Sequence, residues 1–145
     1  MIETIKHMAK LAAHAVQDKS STMTGTDLNA EEKFIPDFQT AKVRMNMLER
    51  PVGFVCKSSE GRVVRLLQVY DSDIYPAEPE ELPAQWGFVW SDDPAHAKPF
   101  ISLATSTYKK GNCCLWEGVT YRSKIDNNVW SPSDYPDGWE KVEGA

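Results

Sequence analysis

The sequence predicts a mainly β fold, with two small antiparallel β modules preceded by an N-terminal amphipathic α-helix. Three observations carry that expectation. Two β-favouring runs, Cys113–Trp116 and Val119–Arg122, flank Glu117-Gly118, a dipeptide of the kind that closes a two-residue hairpin. An upstream stretch repeats the pattern, as Gly53-Phe-Val-Cys-Lys57 leads through Ser58-Ser-Glu-Gly61 into Arg62-Val-Val-Arg65. Before both, Ile2, Ile5, Met8, Ala9, Leu11, Ala12, Ala15 and Val16 recur at helical spacing and form one broad apolar face. The implied organisation is an amphipathic helix over 1–18, a linking segment over 19–51, a first module with its connector over 52–104, and a second module over 105–145.

Each element has a local reason. An isolated helix of about four turns is marginal in water, so the Ala-rich face of 1–18 needs cover from the rest of the chain or from another copy. His7 and His14 share a face seven residues apart, which suits solvated side chains better than an i,i+4 metal pair. Lys19-Ser-Ser-Thr-Met-Thr-Gly25 stops the helix, and Asp27 is placed to cap a short turn through Glu31, Glu32 and Phe34 that Pro36 ends. Val43, Met45 and Met47 alternate with Arg44 and Asn46, predicting a strand closed by Pro51.

The two later stretches correspond most firmly as Gly61-x-x-Val64-Arg65 and Gly118-x-x-Tyr121-Arg122. The match continues with Tyr75-Pro76 against Ser131-Pro132 and Trp86-Gly-Phe-Val89 against Trp139-Glu-Lys-Val142, with a longer acidic loop through Glu78, Glu80 and Glu81 in the first copy. A module spanning 108–142 is shorter than the roughly 40 residues that sustain a core without a staple, so two copies sharing one core are expected. Asp92-Asp-Pro-Ala-His96 and Lys98-Pro99 read as the connector, with His96 solvated.

Composition narrows the function. A formal net charge of -5 and a pI near 5.2 argue against a phosphate-tracking surface, so no nucleic-acid partner is expected. No apolar run approaches the roughly 20 residues that cross a bilayer, and the mixed charges of Met1–Met8 are unlike a signal peptide, so membrane insertion is not expected and folding in a cytoplasm is. Cys56, Cys113 and Cys114 fit neither an even disulfide framework nor a Cys-x-x-Cys knuckle, and read as buried or half-buried strand thiols. Phosphate-binding glycine loops, His-Glu-x-x-His and Gly-x-Ser-x-Gly are absent from the sequence. Asp126, Asp134 and Asp137 stand beside Pro, Gly, Ser or Asn, where Asp serves turns rather than hydrolysis. The expectation is therefore a protein without catalytic residues, metal or cofactor.

Aromatic rings dominate the carboxyl half. Trp86, Tyr121 and Trp139 are assigned to the core, the two tryptophans as equivalent ends of the repeat and Tyr121 through its alternation with Thr120 and Arg122. Trp116, at the hairpin shoulder, and Trp130 and Tyr135, in the return loop, are the candidate ligand-stacking rings, since a flat apolar face suits the C–H face of a sugar.

The pattern Tyr108-x-x-Gly111, Trp116-x-Gly118-x-x-Tyr121-x-Ser123 and Trp139 resembles the chitin-binding-like carbohydrate-binding modules of families 5 and 12. The segment Ile125-Asp-Asn-Asn-Val-Trp-Ser-Pro-Ser-Asp-Tyr-Pro-Asp-Gly-Trp139 is similar to the form found in tailed-bacteriophage tail and baseplate proteins. The resemblance implies a compact antiparallel β fold that binds without metal and without catalysis. It also shows a departure: where chitin-binding members carry two exposed tryptophans, this chain has Ile125 and Asp126. The function so implied is that of a virion protein, assembled in the host cytoplasm, that attaches to host-surface glycan or to other phage structural proteins. The alternative is a structural joint or decoration that has lost sugar binding. The N-terminal helix is a further candidate, for homo-oligomer assembly.

Overall fold

A computed structural model describes residues 11 and 13–143. Most of the predicted amphipathic helix, including His7, lies outside the described residues. Its final part, α1 (13–19), is helical, and Val16 is buried against Leu28, Ile35, Val55 and Val63. The Gln17 side chain donates to Val55 O at 2.7 Å and accepts from Val55 N–H at 3.0 Å, so one amide covers an open stretch of edge strand.

The fold is mixed rather than mainly β. Among the described residues, helices α2 (Gly25–Ala30) and α3 (Phe38–Arg44) precede seven short strands, β1 (Val55–Lys57), β2 (Val63–Leu66), β3 (Trp86–Phe88), β4 (Lys98–Pro99), β5 (Cys113–Trp116), β6 (Val119–Ser123) and β7 (Trp139–Lys141). They form two small sheets, ordered β1-β2-β3 and β4-β5-β6-β7. Every pairing is antiparallel except β4 with β5, because the expected connector lays Lys98 and Pro99 parallel to Cys114 and Leu115. Proline is tolerated there because β4 is an edge.

Two local expectations in the linking segment are corrected. Thr24, not Asp27, is the N-cap of α2. Its hydroxyl accepts the Asp27 N–H, and the Asp27 carboxylate accepts the Thr24 N–H, both at 3.1 Å, forming a capping box. The strand expected over 43–47 does not form. Phe38 and Ala41, three apart on α3, are buried, whereas Val43 is 83% exposed. Met47 is buried because Asn46 caps a 3-10 turn over Met47–Glu49 and turns the chain inward.

The internal repeat extends to hydrogen-bond register. Gly53 N–H donates to Leu66 O at 2.7 Å, and Gly111 N–H to Ser123 O at 2.9 Å. Leu66 N–H donates to Phe54 O and Ser123 N–H to Asn112 O, both at 2.8 Å. Cys56 faces Val64 as Cys114 faces Tyr121, and Leu66 faces Trp86 as Ser123 faces Trp139. The second hairpin turns through Glu117 at φ 50° and Gly118 at φ 79°, the paired left-handed geometry that matches strand twist. One pairing differs from expectation. A four-residue turn leads into Tyr75-Pro76 through Tyr75 N–H to Asp71 O at 3.0 Å, and into Tyr135-Pro136 through Tyr135 N–H to Ser131 O at 2.9 Å. Tyr75-Pro76 thus corresponds to Tyr135-Pro136, four residues beyond Ser131-Pro132.

The main core draws on both modules and on the linking segment. Phe38, Met47, Trp86, Trp90, Tyr108 and Trp139 are among its members. Across the junction, Phe88 stacks on Trp90 (5.9 Å), Trp90 on Tyr108 (4.4 Å) and Tyr108 on Phe100 (5.4 Å). Trp86 and Trp139 are buried as expected but do not meet: Trp86 packs edge-on to Phe38 and Tyr70, and Trp139 edge-on to Tyr108 and Phe100. Tyr121 is only half-buried at the core margin, since the buried positions of β6 are Thr120 and Ser123.

The acidic loop of the first copy is internal bracing. Glu80 accepts from Arg62 Nη1 at 2.8 Å and Ser58 Oγ at 2.7 Å, while Glu78 accepts the Ser59 N–H at 2.7 Å, so the loop grips the first hairpin turn. His96 is half-buried, with Nδ1 3.5 Å from Glu32.

Candidate functional site

The return loop between β6 and β7 is built around Asn128, which is fully buried. Its backbone exchanges two hydrogen bonds with Tyr108, at 3.0 and 2.9 Å. Its side-chain amide donates to Ser123 Oγ at 3.0 Å and Gly138 O at 3.1 Å, and its carbonyl accepts the Trp130 N–H at 3.3 Å. A single asparagine therefore satisfies the backbone on three sides of the loop. Asn127, just before it, takes the left-handed conformation at φ 54°, a region Asn tolerates better than most residues.

That frame fixes two rings. Trp139 Nε1 donates to Trp130 O at 2.8 Å, holding the Trp130 backbone while its ring stays outside. The turn over Ser131–Asp134 is closed by Tyr135 N–H to Ser131 O at 2.9 Å and by Asp134 N–H to Ser131 Oγ at 3.0 Å. Tyr135 then lies against Gly138, where an added Cβ would come within 2.8 Å of the ring. Trp130 and Tyr135 are 47% and 39% exposed, with ring centroids 5.5 Å apart and planes at 75°. Together with Ile125, Asp126, Asn127 and Asp134 they line an open depression of about 510 Å³.

Of the three rings expected to stack on a ligand, two converge. Trp116 lies outside this lining: it is half-buried, edge-on to Phe100 at 5.7 Å, and its Nε1 donates to Ser133 Oγ at 2.8 Å. Ile125 and Asp126 line the same depression as the converging rings. The sequence did not mark Asn128 and Gly138 as organisers of the loop. The available signal was the Asn127-Asn128 pair and a glycine immediately before a core tryptophan.

The depression presents two ring surfaces, an aliphatic side chain, an amide and two carboxylates. Asp126 accepts the Lys110 N–H at 3.0 Å, a bond to backbone outside its own turn. Among the described residues, no group of three His, Cys, Asp or Glu side chains is placed to hold a metal ion. All three thiols are free and buried, and burial pushes Cys114 up to about 12 and raises Cys56 and Cys113 as well, which keeps them protonated at neutral pH. No described helix is long and apolar enough to cross a membrane. A scan of protein-family models finds no match to the chain, and searches of curated proteins and of solved structures find none either.

Proposed function

We propose that the chain is a non-enzymatic component of a tailed-phage particle whose second module attaches the particle to host-surface glycan. The observation that carries this reading is the pair Trp130 and Tyr135, two exposed rings held 5.5 Å apart on a loop bonded around Asn128. Large rings cost burial energy to leave in water, and a preorganised exposed pair beside amide and carboxylate groups suits the apolar face and hydroxyl rim of a sugar. The resemblance of the Ile125–Trp139 segment to phage tail and baseplate modules supports the same reading. Purified protein is expected to sediment with host cell wall and to lose most of that binding on Trp130→Ala, with unchanged circular dichroism. Equal retention of wild type and Trp130→Ala would refute glycan attachment at this site.

A second reading, a structural joint or decoration within the particle, has its own observation. Val43 on α3, Leu48 in the turn after it, and Val52, Ile74 and Tyr75 of the first module are more than half exposed, apolar side chains that another virion protein could cover. Retention by assembled particles together with indifference to cell wall would favour it. Assembly through residues 1–18 is a separate element of either reading: a chain lacking them should have a smaller oligomeric mass by light scattering.

A further inference from the structure

The second module as a whole is balanced in charge, with five basic and five acidic side chains between Tyr108 and Val142. Its depression is not balanced. Two of the acids, Asp126 and Asp134, line it, and none of the five basic side chains does. Neither carboxylate forms an ion pair among the described residues. Asp126 uses one oxygen to accept the Lys110 N–H, while the Asp134 carboxylate accepts no hydrogen bond from the described residues. Two uncompensated carboxylates thus flank two exposed rings set at 75° to one another.

That combination suits a cation. A protonated amine is attracted to the face of Trp or Tyr, and the crossed ring planes offer it two surfaces. The carboxylates add charge-assisted acceptors. An anionic sugar would meet repulsion, and a neutral one would gain the stacking without the charge. We infer that the ligand of this depression is a glycan carrying a free ammonium group, an amino sugar without its N-acetyl cap. This rests on the reading of the second module as a glycan-attachment site and specifies the sugar class.

The test compares β-1,4-linked glucosamine and N-acetylglucosamine oligomers of equal length by titration calorimetry against the full chain. The wild type is expected to bind the free-amine oligomer about tenfold more tightly at low salt, a preference of the size that one ring contact and two exposed charge pairs supply. The preference should shrink in high salt and as pH rises through the titration of the ligand amine, because the ammonium is lost. Asp126→Asn with Asp134→Asn, which keeps side-chain shape, should abolish the difference in affinity between the two oligomers. Trp130→Ala should weaken both. Equal wild-type affinity for the two oligomers, or a preference that survives the double substitution, overturns the cationic-ligand inference but leaves glycan attachment standing. Failure of the wild type to bind either oligomer also overturns the cationic-ligand inference, whereas glycan attachment itself stands or falls on sedimentation with host cell wall.

Discussion

The two modules share a hydrogen-bond register yet treat one structural problem in opposite ways. Each has a buried tryptophan at the start of its last strand, and each must satisfy that indole N–H. In the first module, Trp86 Nε1 donates to the hydroxyl of Tyr70 at 3.0 Å, which draws the Tyr70 ring into the core. In the second, Trp139 Nε1 donates to the backbone carbonyl of Trp130 at 2.8 Å. Tyr70 and Trp130 are equivalent, each five residues before the tyrosine of a Tyr-Pro pair. A side-chain acceptor commits its ring to the interior, whereas a backbone acceptor leaves its ring free. The arginines show the opposite lesson, since Arg65 donates to Met23 O at 2.6 Å and Arg122 to Asp92 O at 3.3 Å, each anchoring a segment that precedes its own module.

The largest expected effect tests whether the modules are one cooperative unit. Trp86→Ala removes the largest fully buried side chain, with its edge contacts to Phe38 and Tyr70. The loss should be about 3 to 5 kcal/mol in urea unfolding. Because the ring stack from Phe88 to Phe100 crosses the junction, far-ultraviolet circular dichroism and fluorescence of the remaining tryptophans should move together. Separate transitions would divide the molecule into two independent copies.

A second test uses thiols at matched positions. Cys56 and Cys114 sit opposite Val64 and Tyr121 in the equivalent hairpins, and burial raises the pKa of both. A thiol whose folded pKa exceeds its unfolded value keeps its proton after the unfolded chain has lost it. The stabilising difference is therefore intact below the unfolded value near 9.0 and is lost as pH rises, for Cys114 up to about 12. Stability should fall by on the order of 1.4 kcal/mol per pH unit for each such thiol in that range. The slope of urea midpoint against pH should drop by a similar share in Cys56→Ala and Cys114→Ala. A drop in only one variant would show that the two strand environments are not equivalent.

How much of this was legible follows from the same comparison. The hairpins could be read because Gly118 and Gly61 stand where φ is positive, and the repeat because strand register fixes the spacing of Val64 and Leu66 against Tyr121 and Ser123. The Tyr-Pro pairing slipped by four residues because the second copy offers both Ser131-Pro132 and Tyr135-Pro136, and only the turn bonds choose between them. The expected strand over 43–47 failed because the seven-residue α3 is too short to impose its period on the pattern. Of the site, the rings were visible in composition. Their convergence was not, because it depends on Asn128 bonding to Tyr108, Ser123 and Gly138, contacts made at separations no local pattern encodes.

The acceptor contrast gives a direct third test. Tyr70→Phe keeps the ring but removes the oxygen that receives the Trp86 N–H, leaving a buried donor unpartnered. About 1 to 3 kcal/mol should be lost in urea unfolding, since the desolvated donor has no water to turn to. A loss near zero would mean that the Tyr70 hydroxyl does not decide the fate of its ring, and the contrast with Trp130 would collapse.

The smallest effect is expected at the equivalent position of the second module. Trp130→Ala removes a ring that is 47% exposed but leaves its carbonyl, so the Trp139 hydrogen bond survives the substitution. What goes is the edge contact to Tyr135, worth about 0.5 to 1.5 kcal/mol at most, and less with both rings partly in water. The urea midpoint should therefore shift less than in Tyr70→Phe, although far more side-chain surface has been deleted. That inversion of size and cost separates a ring that holds the fold from one the fold holds out. If Trp130→Ala proves the more damaging of the two, the ring belongs to the core of its module, and its exposure does not mark it as a surface for binding.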